Sequence, residues 1–234
     1  MRSLLLAAAV ACLSAPALRA EAADAAAPYT FWLSRTDVGS STEGESDFDW
    51  DAQGWIGNDE QKAWVKTTGN LQSAGSPDRA DVQLLYSRAI HDFWDVQAGV
   101  RQTLEPAART SAVLGVQGLA PYWFEVDAAA FLSEGGRLTG RFEGTYELTL
   151  TQRVFAEPFV TARFASKTDP KLLEGSGLMD TETGVRLRYE FSRNFAPYVG
   201  VSWARRYGST KRLLTAAGGD AKETSGRVGL RLLF

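Results

Sequence analysis

The chain has 234 residues, with 25 basic and 28 acidic side chains and a formal net charge of −3. This balance excludes the strongly basic surface that nucleic-acid binding needs. A single cysteine excludes a disulfide within the chain, and the length suits one all-β domain.

The first 22 residues have the features of a secretory signal peptide. Arg2 precedes the apolar run 4–13, and Ala20-Glu21-Ala22 places small residues at both cleavage positions. The apolar run is too short for a transmembrane helix, which needs about 20 residues. We therefore expect residues 1–22 to be removed, together with the one cysteine.

After a short segment, 23–27, residues 28–234 are predicted to form one domain built from twelve β-strands. Each candidate strand alternates apolar and polar side chains, the pattern of a strand with two different faces. The strands span roughly 28–38, 46–57, 60–73, 78–91, 93–104, 109–119, 121–133, 136–150, 152–166, 179–192, 195–208 and 222–234. Such a succession of strands predicts an all-β fold. Their even number fits a closed antiparallel up-and-down transmembrane β-barrel.

The connections between these strands alternate between short and long. The tight turns are Asn58-Asp59, His91-Asp92, Ala120-Pro121, Thr151-Gln152 and Arg193-Asn194. The longest connections are 166–178 and 208–221. Because outer-membrane barrels place short turns in the periplasm and long loops outside, we predict that the chain lies in the cell outer membrane with both termini in the periplasm.

Aromatic side chains cluster beside the tight turns and at the end of the chain. They are Trp55, Phe93, Trp94, Tyr122, Trp123, Phe124, Phe195, Tyr198 and Phe234. Folding the chain as a barrel brings them to one rim, which predicts an aromatic girdle at the periplasmic interface with lipid. A β-sandwich is the alternative fold, but it gives no reason for sorting aromatic residues to one end.

The charged faces of the strands are predicted to line the lumen. The predicted network contains Asp95, Arg101, Glu125, Asp127, Arg141, Glu143, Arg186, Arg188, Glu190 and Arg231. Since both signs are present, we expect arginine–carboxylate pairs to fill the interior, rather than a wide channel of one sign.

The final strand ends on an aromatic residue. Val228, Leu230, Leu232 and Phe234 fall on one face, because side chains alternate with period two. This ending resembles the C-terminal assembly signal of outer-membrane barrels, so these residues are predicted to engage the barrel-assembly machinery.

Several longer stretches resemble the copper resistance protein B family of Gram-negative outer membranes. They are FDWDAQGWIG (48–57), QLLYSRAI (83–90), FWDVQAGVR (93–101), LGVQGLAPYWFEV (114–126), LTQR (150–153), GVRLRYE (184–190) and FAPYVGV (195–201). The resemblance covers nearly all of the chain after the signal peptide. It implies an outer-membrane barrel that contributes to copper tolerance, by copper binding or efflux, beside a periplasmic multicopper oxidase.

One departure from the family concerns the ligands for copper. Family members often carry an extension rich in methionine and histidine, the ligands that suit Cu(I) and Cu(II). Here the chain after residue 22 has one histidine, His91, and one methionine, Met179. Copper is therefore a possible cofactor that the residues support only weakly.

Four residues are candidate metal ligands. Asp49 and Asp51 share a strand face with Asp47 and offer hard oxygen ligands, although lysines such as Lys62 and Lys66 are their expected partners. His91 is expected as a polar turn residue, and Met179 as an anchor in a long external loop. The two lie at opposite ends of the predicted barrel, so they cannot share an ion.

The preferred function is therefore a non-enzymatic outer-membrane barrel of copper homeostasis. The alternative is a small-solute pore or scaffold that no longer binds copper. An outer-membrane hydrolase is third, because Ser87 and His91 lie four residues apart on a strand, about 13 Å at the usual rise, which is too far for a nucleophile and its base.

Overall fold

The computed structural model describes residues 29–41, 46–72 and 77–234, which form a closed antiparallel β-barrel of twelve strands. The elements are β1 (Tyr29–Ser41), β2 (Ser46–Gly57), β3 (Gln61–Gln72), β4 (Pro77–His91), β5 (Trp94–Glu105), β6 (Arg109–Ala120), β7 (Phe124–Ser133), β8 (Leu138–Tyr146), β9 (Leu148–Thr149), β10 (Val154–Ala165), β11 (Gly177–Tyr189), β12 (Phe195–Arg206), α1 (Gly208–Ala216) and β13 (Lys222–Leu233). The predicted fold class and number of barrel strands are confirmed. The predicted signal peptide and the segment 23–27 lie outside the described residues.

β8 and β9 form one interrupted barrel strand, because both pair with β10 in a single register. Opposite the interruption, β10 carries Pro158, which has no backbone N–H to donate to the ladder. The break releases Glu147 from the ladder beside the lumen, where it becomes part of the charge network described below.

The barrel closes between its first and last strands. β1 pairs with β13 from Leu33↔Leu233 to Ser41↔Ser225. Beyond this register, the backbone groups of Trp32 and Phe234 exchange two hydrogen bonds of 2.8 Å each. Closure satisfies the backbone groups of both strands, which is required where lipid offers no hydrogen-bond partner. Phe234 of the predicted assembly signal therefore lies at the seam.

The two faces of each strand have opposite environments, and the apolar face is the outer one. On β11, Val185 is 40 % and Leu187 is 44 % exposed, whereas the lumenal residue that follows them, Arg188, is only 2 % exposed. This inverts the pattern of a water-soluble protein and matches a barrel whose outer face contacts lipid.

The two rims differ as the sequence predicts. The tight turns, the start of β1 and the end of β13 share one rim, the short-turn rim, and the longer connections share the other, the long-loop rim. The longest connections hold α1 and a single 3₁₀ turn at Pro170–Leu172, neither of which the sequence predicted. Within the described ranges, no helix has the length and apolar character needed to cross a membrane.

Most of the predicted girdle residues are exposed at the short-turn rim, Tyr122 and Trp123 by 86 % and 73 %. Tyr198 and Trp55 are corrections. The Tyr198 side chain is buried in the lumen and donates a hydrogen bond of 2.6 Å to Asp37. Trp55 packs between Phe31 and Trp64 inside the barrel, because it has the same parity on β2 as the lumenal aspartates.

Candidate functional site

One side of the lumen is filled by an apolar cluster. Trp64, Leu85, Val113 and Phe131 project inward from β3, β4, β6 and β7. Cations cover its edges: the Lys66 ammonium lies 5.3 Å from the Trp64 ring and the Arg101 guanidinium 4.7 Å from the Phe131 ring. Sequence alternation missed this cluster, because apolar residues at lumenal positions interrupt the polar face.

Lys66, which lies over the Trp64 ring of the apolar cluster, also contacts polar side chains of β5, β6 and β7. Its ammonium donates to Asp127 at 2.8 Å and to the amide oxygens of Gln97 and Gln117 at 3.2 Å and 3.1 Å. Closer to the short-turn rim, Lys62 and Asp95 form an ion pair of 2.6 Å. The next carboxylate toward the other rim, Asp81, accepts from Arg101 at 2.8 Å.

Arg188 is the centre of a second network near the short-turn rim. Its guanidinium contacts Glu147 at 2.6 Å, Glu157 at 3.0 Å and Glu190 at 3.3 Å. Arg231 lies 4.0 Å from Glu157. The structure thus brings together Arg188, Glu190 and Arg231 of the predicted network around Glu157, which the sequence reading did not single out. Its lumenal parity on β10, shared with Thr161 and Arg163, was the available signal.

Arg227 is the centre of a third network, near the long-loop rim. It contacts Asp37 at 2.8 Å and Asp47 at 3.3 Å, and it pairs with Asp49. Asp51 has its own partner, Arg35, at 3.6 Å.

The predicted pairing of the β2 aspartates with Lys62 and Lys66 is therefore wrong. The register explains the error: Asp47, Asp49 and Asp51 lie opposite Gln72, Asn70 and Thr68, whereas both lysines lie further toward the short-turn rim. The lysines instead reach acids of β5 and β7.

Two cavities run along the lumen beside the apolar cluster, and Trp64 of the cluster lines the second of them. The loop-side cavity, about 510 Å³, opens near the long-loop rim and is lined by eight carboxylates and six arginines. The turn-side cavity, about 400 Å³, lies near the short-turn rim and is lined by six carboxylates, three arginines and one lysine. Each therefore has an excess of two negative charges among its described lining residues.

The two cavities meet at a charged waist. Asp51, Thr68, Arg141 and Glu143 line both of them. Arg141 lies 4.0 Å from Asp127, and Asp51 pairs with Arg35. Glu143 has no cation within 4.0 Å in the described part of the chain. The waist thus carries a carboxylate that no cation of the described residues contacts directly, although Arg141, Arg35 and Arg186 lie close enough for their charges to attract it.

The remaining members of the predicted network also line these cavities. Glu125 lies in the turn-side cavity. Arg186 lines the loop-side cavity, with its guanidinium 4.0 Å from the centre of the Phe159 ring.

The candidate metal ligands do not converge. Asp49 and Asp51 are engaged by different arginines, and His91 is exposed at the end of β4 on the short-turn rim. Met179 was predicted to lie in a loop, and this prediction is wrong. The residue lies in β11 near the opposite rim, where it is buried at 4 % exposure. Among residues 29–41, 46–72 and 77–234, no group of three or more His, Cys, Asp or Glu side chains is placed to hold a metal ion.

Comparison with known families identifies the barrel. The family model described as "Copper resistance protein B precursor (CopB)" matches residues 32–234. The chain belongs to the copper resistance protein B family. Its similarity to a copper resistance protein B of Escherichia coli is 40 % identity over 212 residues, covering 90 % of this chain and 71 % of that protein. A copper resistance protein B homolog of Pseudomonas syringae pv. tomato is 40 % identical over 186 residues, covering 79 % and 63 %.

Solved structures place this copper resistance protein B family member among outer-membrane porin folds. The NanC porin superimposes with a TM-score of 0.59 at 13 % identity, covering 85 % of this chain and 98 % of the porin. The KdgM porin in complex with disordered oligogalacturonate superimposes with a TM-score of 0.55 at 12 % identity, covering 86 % and 99 %. At such low identity the likeness establishes the fold, an outer-membrane β-barrel.

Proposed function

We propose that this barrel contributes to copper tolerance by letting copper ions cross the outer membrane through the two acidic cavities and the waist between them. The observation that carries the proposal is the pair of carboxylates, Asp51 and Glu143, that line both cavities. An excess of negative charge in each cavity attracts cations from either rim, because charge lining a low-dielectric cleft raises the local counter-ion concentration.

Weak binding at the waist suits passage better than storage. Conduction requires that an ion bind well enough to enter and weakly enough to leave. Carboxylate oxygens provide such contacts for Cu²⁺, which exceeds the other divalent first-row metals in affinity for a given oxygen or nitrogen site. Glu143 is attracted by Arg141 but has no cation of the described residues in direct contact, while Asp51 is only partly screened by Arg35 at 3.6 Å. A passing ion would therefore exchange between the two carboxylates.

We also propose that the short-turn rim faces the periplasm, with both termini, and that the turn-side cavity receives copper there. The support is the barrel rule that short turns are periplasmic. A periplasmic multicopper oxidase, which the family resemblance implies, is the proposed partner at this rim. We propose passage rather than catalysis, since the Ser87 hydroxyl is fully buried and donates to Asp95 at 3.2 Å instead of lying free as a nucleophile.

The test is a copper flux assay in vesicles that hold the refolded barrel and a Cu²⁺-sensitive dye. Glu143→Gln combined with Asp51→Asn removes both negative charges of the waist with little change in volume and leaves the positive charge of Arg141, so we expect Cu²⁺ influx to fall several-fold. Glu134→Gln is the matched control, because Glu134 is exposed in the connection between β7 and β8. Influx of a small neutral sugar, measured in parallel, should not fall.

Unchanged Cu²⁺ influx in the double variant would contradict passage through the waist. If copper and sugar both enter vesicles that hold the wild-type barrel, and both enter at the same rates through the double variant, the barrel is a small-solute pore instead.

A further inference from the structure

A third lumenal cavity, the arginine pocket, is separate in character from the acidic path. It measures about 250 Å³ and lies under the long-loop rim, on the side of the barrel formed by β3 to β8. Its charged lining residues are Arg79, Arg101, Arg109, Arg137, Arg141, Arg163, Asp81, Glu105 and Glu174. Two of the six arginines, Arg109 and Arg163, pair with Asp169 and Asp180 outside the lining. The other four arginines face three carboxylates, an excess of one positive charge, whereas both cavities of the acidic path have a negative excess. Arg79, Arg141 and Arg163 also line the loop-side cavity, and Arg141 lines the turn-side cavity as well, so the pocket adjoins the waist.

Arg137 is the most buried of these cations, with only 8 % of its surface exposed. Its Nη1 contacts Glu174 at 2.8 Å, and its Nε donates to the Lys167 carbonyl at 3.0 Å. Its Nη2 is buried and has no hydrogen-bond partner in the described structure. A buried donor without an acceptor is destabilising, and more so when the group is charged, so the position favours an added acceptor.

Two other arginines of the pocket share this property. Arg101 contacts Asp81 through Nη2 at 2.8 Å, but its buried Nε has no partner, and the buried Nε of Arg141 has none either. Arg79 lies close enough to Arg163 and Arg101 for their charges to repel it. The pocket therefore concentrates positive charge and unused N–H donors that its own three carboxylates do not satisfy.

We propose that the arginine pocket binds a small anion bearing carboxylate or phosphate oxygens. Guanidinium groups present donors in a planar fork that matches both kinds of oxyanion. The volume is below the roughly 300–1,000 Å³ of pockets for drug-sized ligands, which restricts the occupant to a small molecule. The pocket borders the copper path, but Arg101 and Arg137, which hold the proposed anion, line neither of the acidic cavities.

The connection from β10 to β11 forms the roof of the pocket. Leu172 and Glu174 of this segment line the cavity, and Asp169 contacts Arg109 at 3.2 Å. The segment is also held to α1, since the Gly175 backbone N–H donates to the Thr210 hydroxyl at 2.8 Å. An anion in the pocket would thus lie beneath a roof that is already folded, shielded from the solvent that weakens ion pairs at the surface.

Calorimetric titration of the refolded, metal-free barrel with inorganic phosphate and, separately, with citrate tests this site. We expect at least one of them to bind saturably, and the comparison tells which oxyanion the pocket prefers. Arg137→Gln and Arg101→Gln should each weaken that binding about tenfold or more, the effect of losing a hydrogen bond to a charged group. Arg206→Gln is the matched control, because Arg206 lines only the loop-side cavity.

Heat-modifiable gel mobility confirms that each variant has folded before it is titrated. If Arg137→Gln does not fold, Arg101→Lys replaces it, since lysine keeps the charge but loses the fork and should still weaken binding. Absence of saturable binding of both anions to the wild-type barrel at millimolar concentration would overturn the proposal. Equal weakening by Arg206→Gln would also overturn it, because the effect would then reflect the charge of the whole lumen.

Discussion

Replacement of Arg188 by alanine should destabilise the barrel more than any other removal of a single lumenal charge in the network near the short-turn rim. Arg188 is 2 % exposed and contacts three carboxylates within 3.3 Å. Breaking a buried ion pair by removing one partner costs about 3–5 kcal/mol, because the other charge is left buried.

The solvent exposure of the three acids shows which end of this range of destabilisation applies to Arg188→Ala. The Glu147 and Glu190 side chains are 48 % and 28 % exposed, so water can replace Arg188 around them. Glu157 is only 10 % exposed, and its remaining cation, Arg231, lies 4.0 Å away. We therefore expect a loss near the lower limit, about 3 kcal/mol, with most of it arising at Glu157.

Urea unfolding of the refolded barrel in lipid vesicles measures this loss, with the fluorescence of the seven tryptophans as the signal. Arg153→Ala is the matched control at the same rim, because Arg153 is exposed in the turn between β9 and β10. It should change the free energy of unfolding by no more than about 0.5 kcal/mol. Adding Glu157→Gln to Arg188→Ala should restore part of the stability, since it removes the stranded charge.

An unchanged unfolding midpoint in Arg188→Ala would refute the reasoning, because it would mean that water already solvates this network. A loss in Arg188→Ala that Glu157→Gln does not relieve would place the cost in packing against Phe155, whose ring centre lies 4.8 Å from the guanidinium.

Three further predictions concern topology, metal and lipid. A tag in the connection that carries α1 should be labelled in intact cells and a tag at Asn58 should not; the reverse pattern would invert the orientation. The combined change His91→Ala and Met179→Leu should leave copper titrations of the barrel unchanged, because the two side chains lie near opposite rims; submicromolar Cu(I) binding would reveal a site that these residues do not form. Leu114→Arg, in the middle of the lipid-facing side of β6, should cost about 2–4 kcal/mol in urea unfolding, whereas Leu104→Arg near the long-loop rim should cost about 0–1 kcal/mol.

The strands and rims of this barrel could be predicted because their signals are local. Side chains on a strand alternate with period two, so Leu187 outside and Arg188 inside follow from their positions in the sequence. Turn length, read directly from the chain, separated the short-turn rim from the long-loop rim. The resemblance to the copper resistance protein B family rested on contiguous motifs, which are also local signals, and the match of the family model over residues 32–234 confirms it.

The partners of the lumenal charges depended on register and closure, which alternation does not contain. Alternation places Asp49 inside the barrel, but only the pairing of β1 with both β2 and β13 brings Arg227 to it in place of a lysine of β3. Met179 was expected in the loop although it stood at the boundary of the predicted strand 179–192; β11 begins at Gly177, which places Met179 inside the strand.

The sequence by itself thus determined which face of most strands contacts lipid and which lines the lumen, because that choice depends on one strand at a time; Trp55 and Tyr198, predicted at the lipid interface, are exceptions. The tertiary structure decided how the lumen is divided into an apolar cluster, an acidic path and an arginine pocket. These regions are formed by side chains from strands distant in the sequence, such as Asp51 and Glu143 at the waist. Their meeting is fixed by the tilt and closure of the sheet, which only the folded barrel specifies.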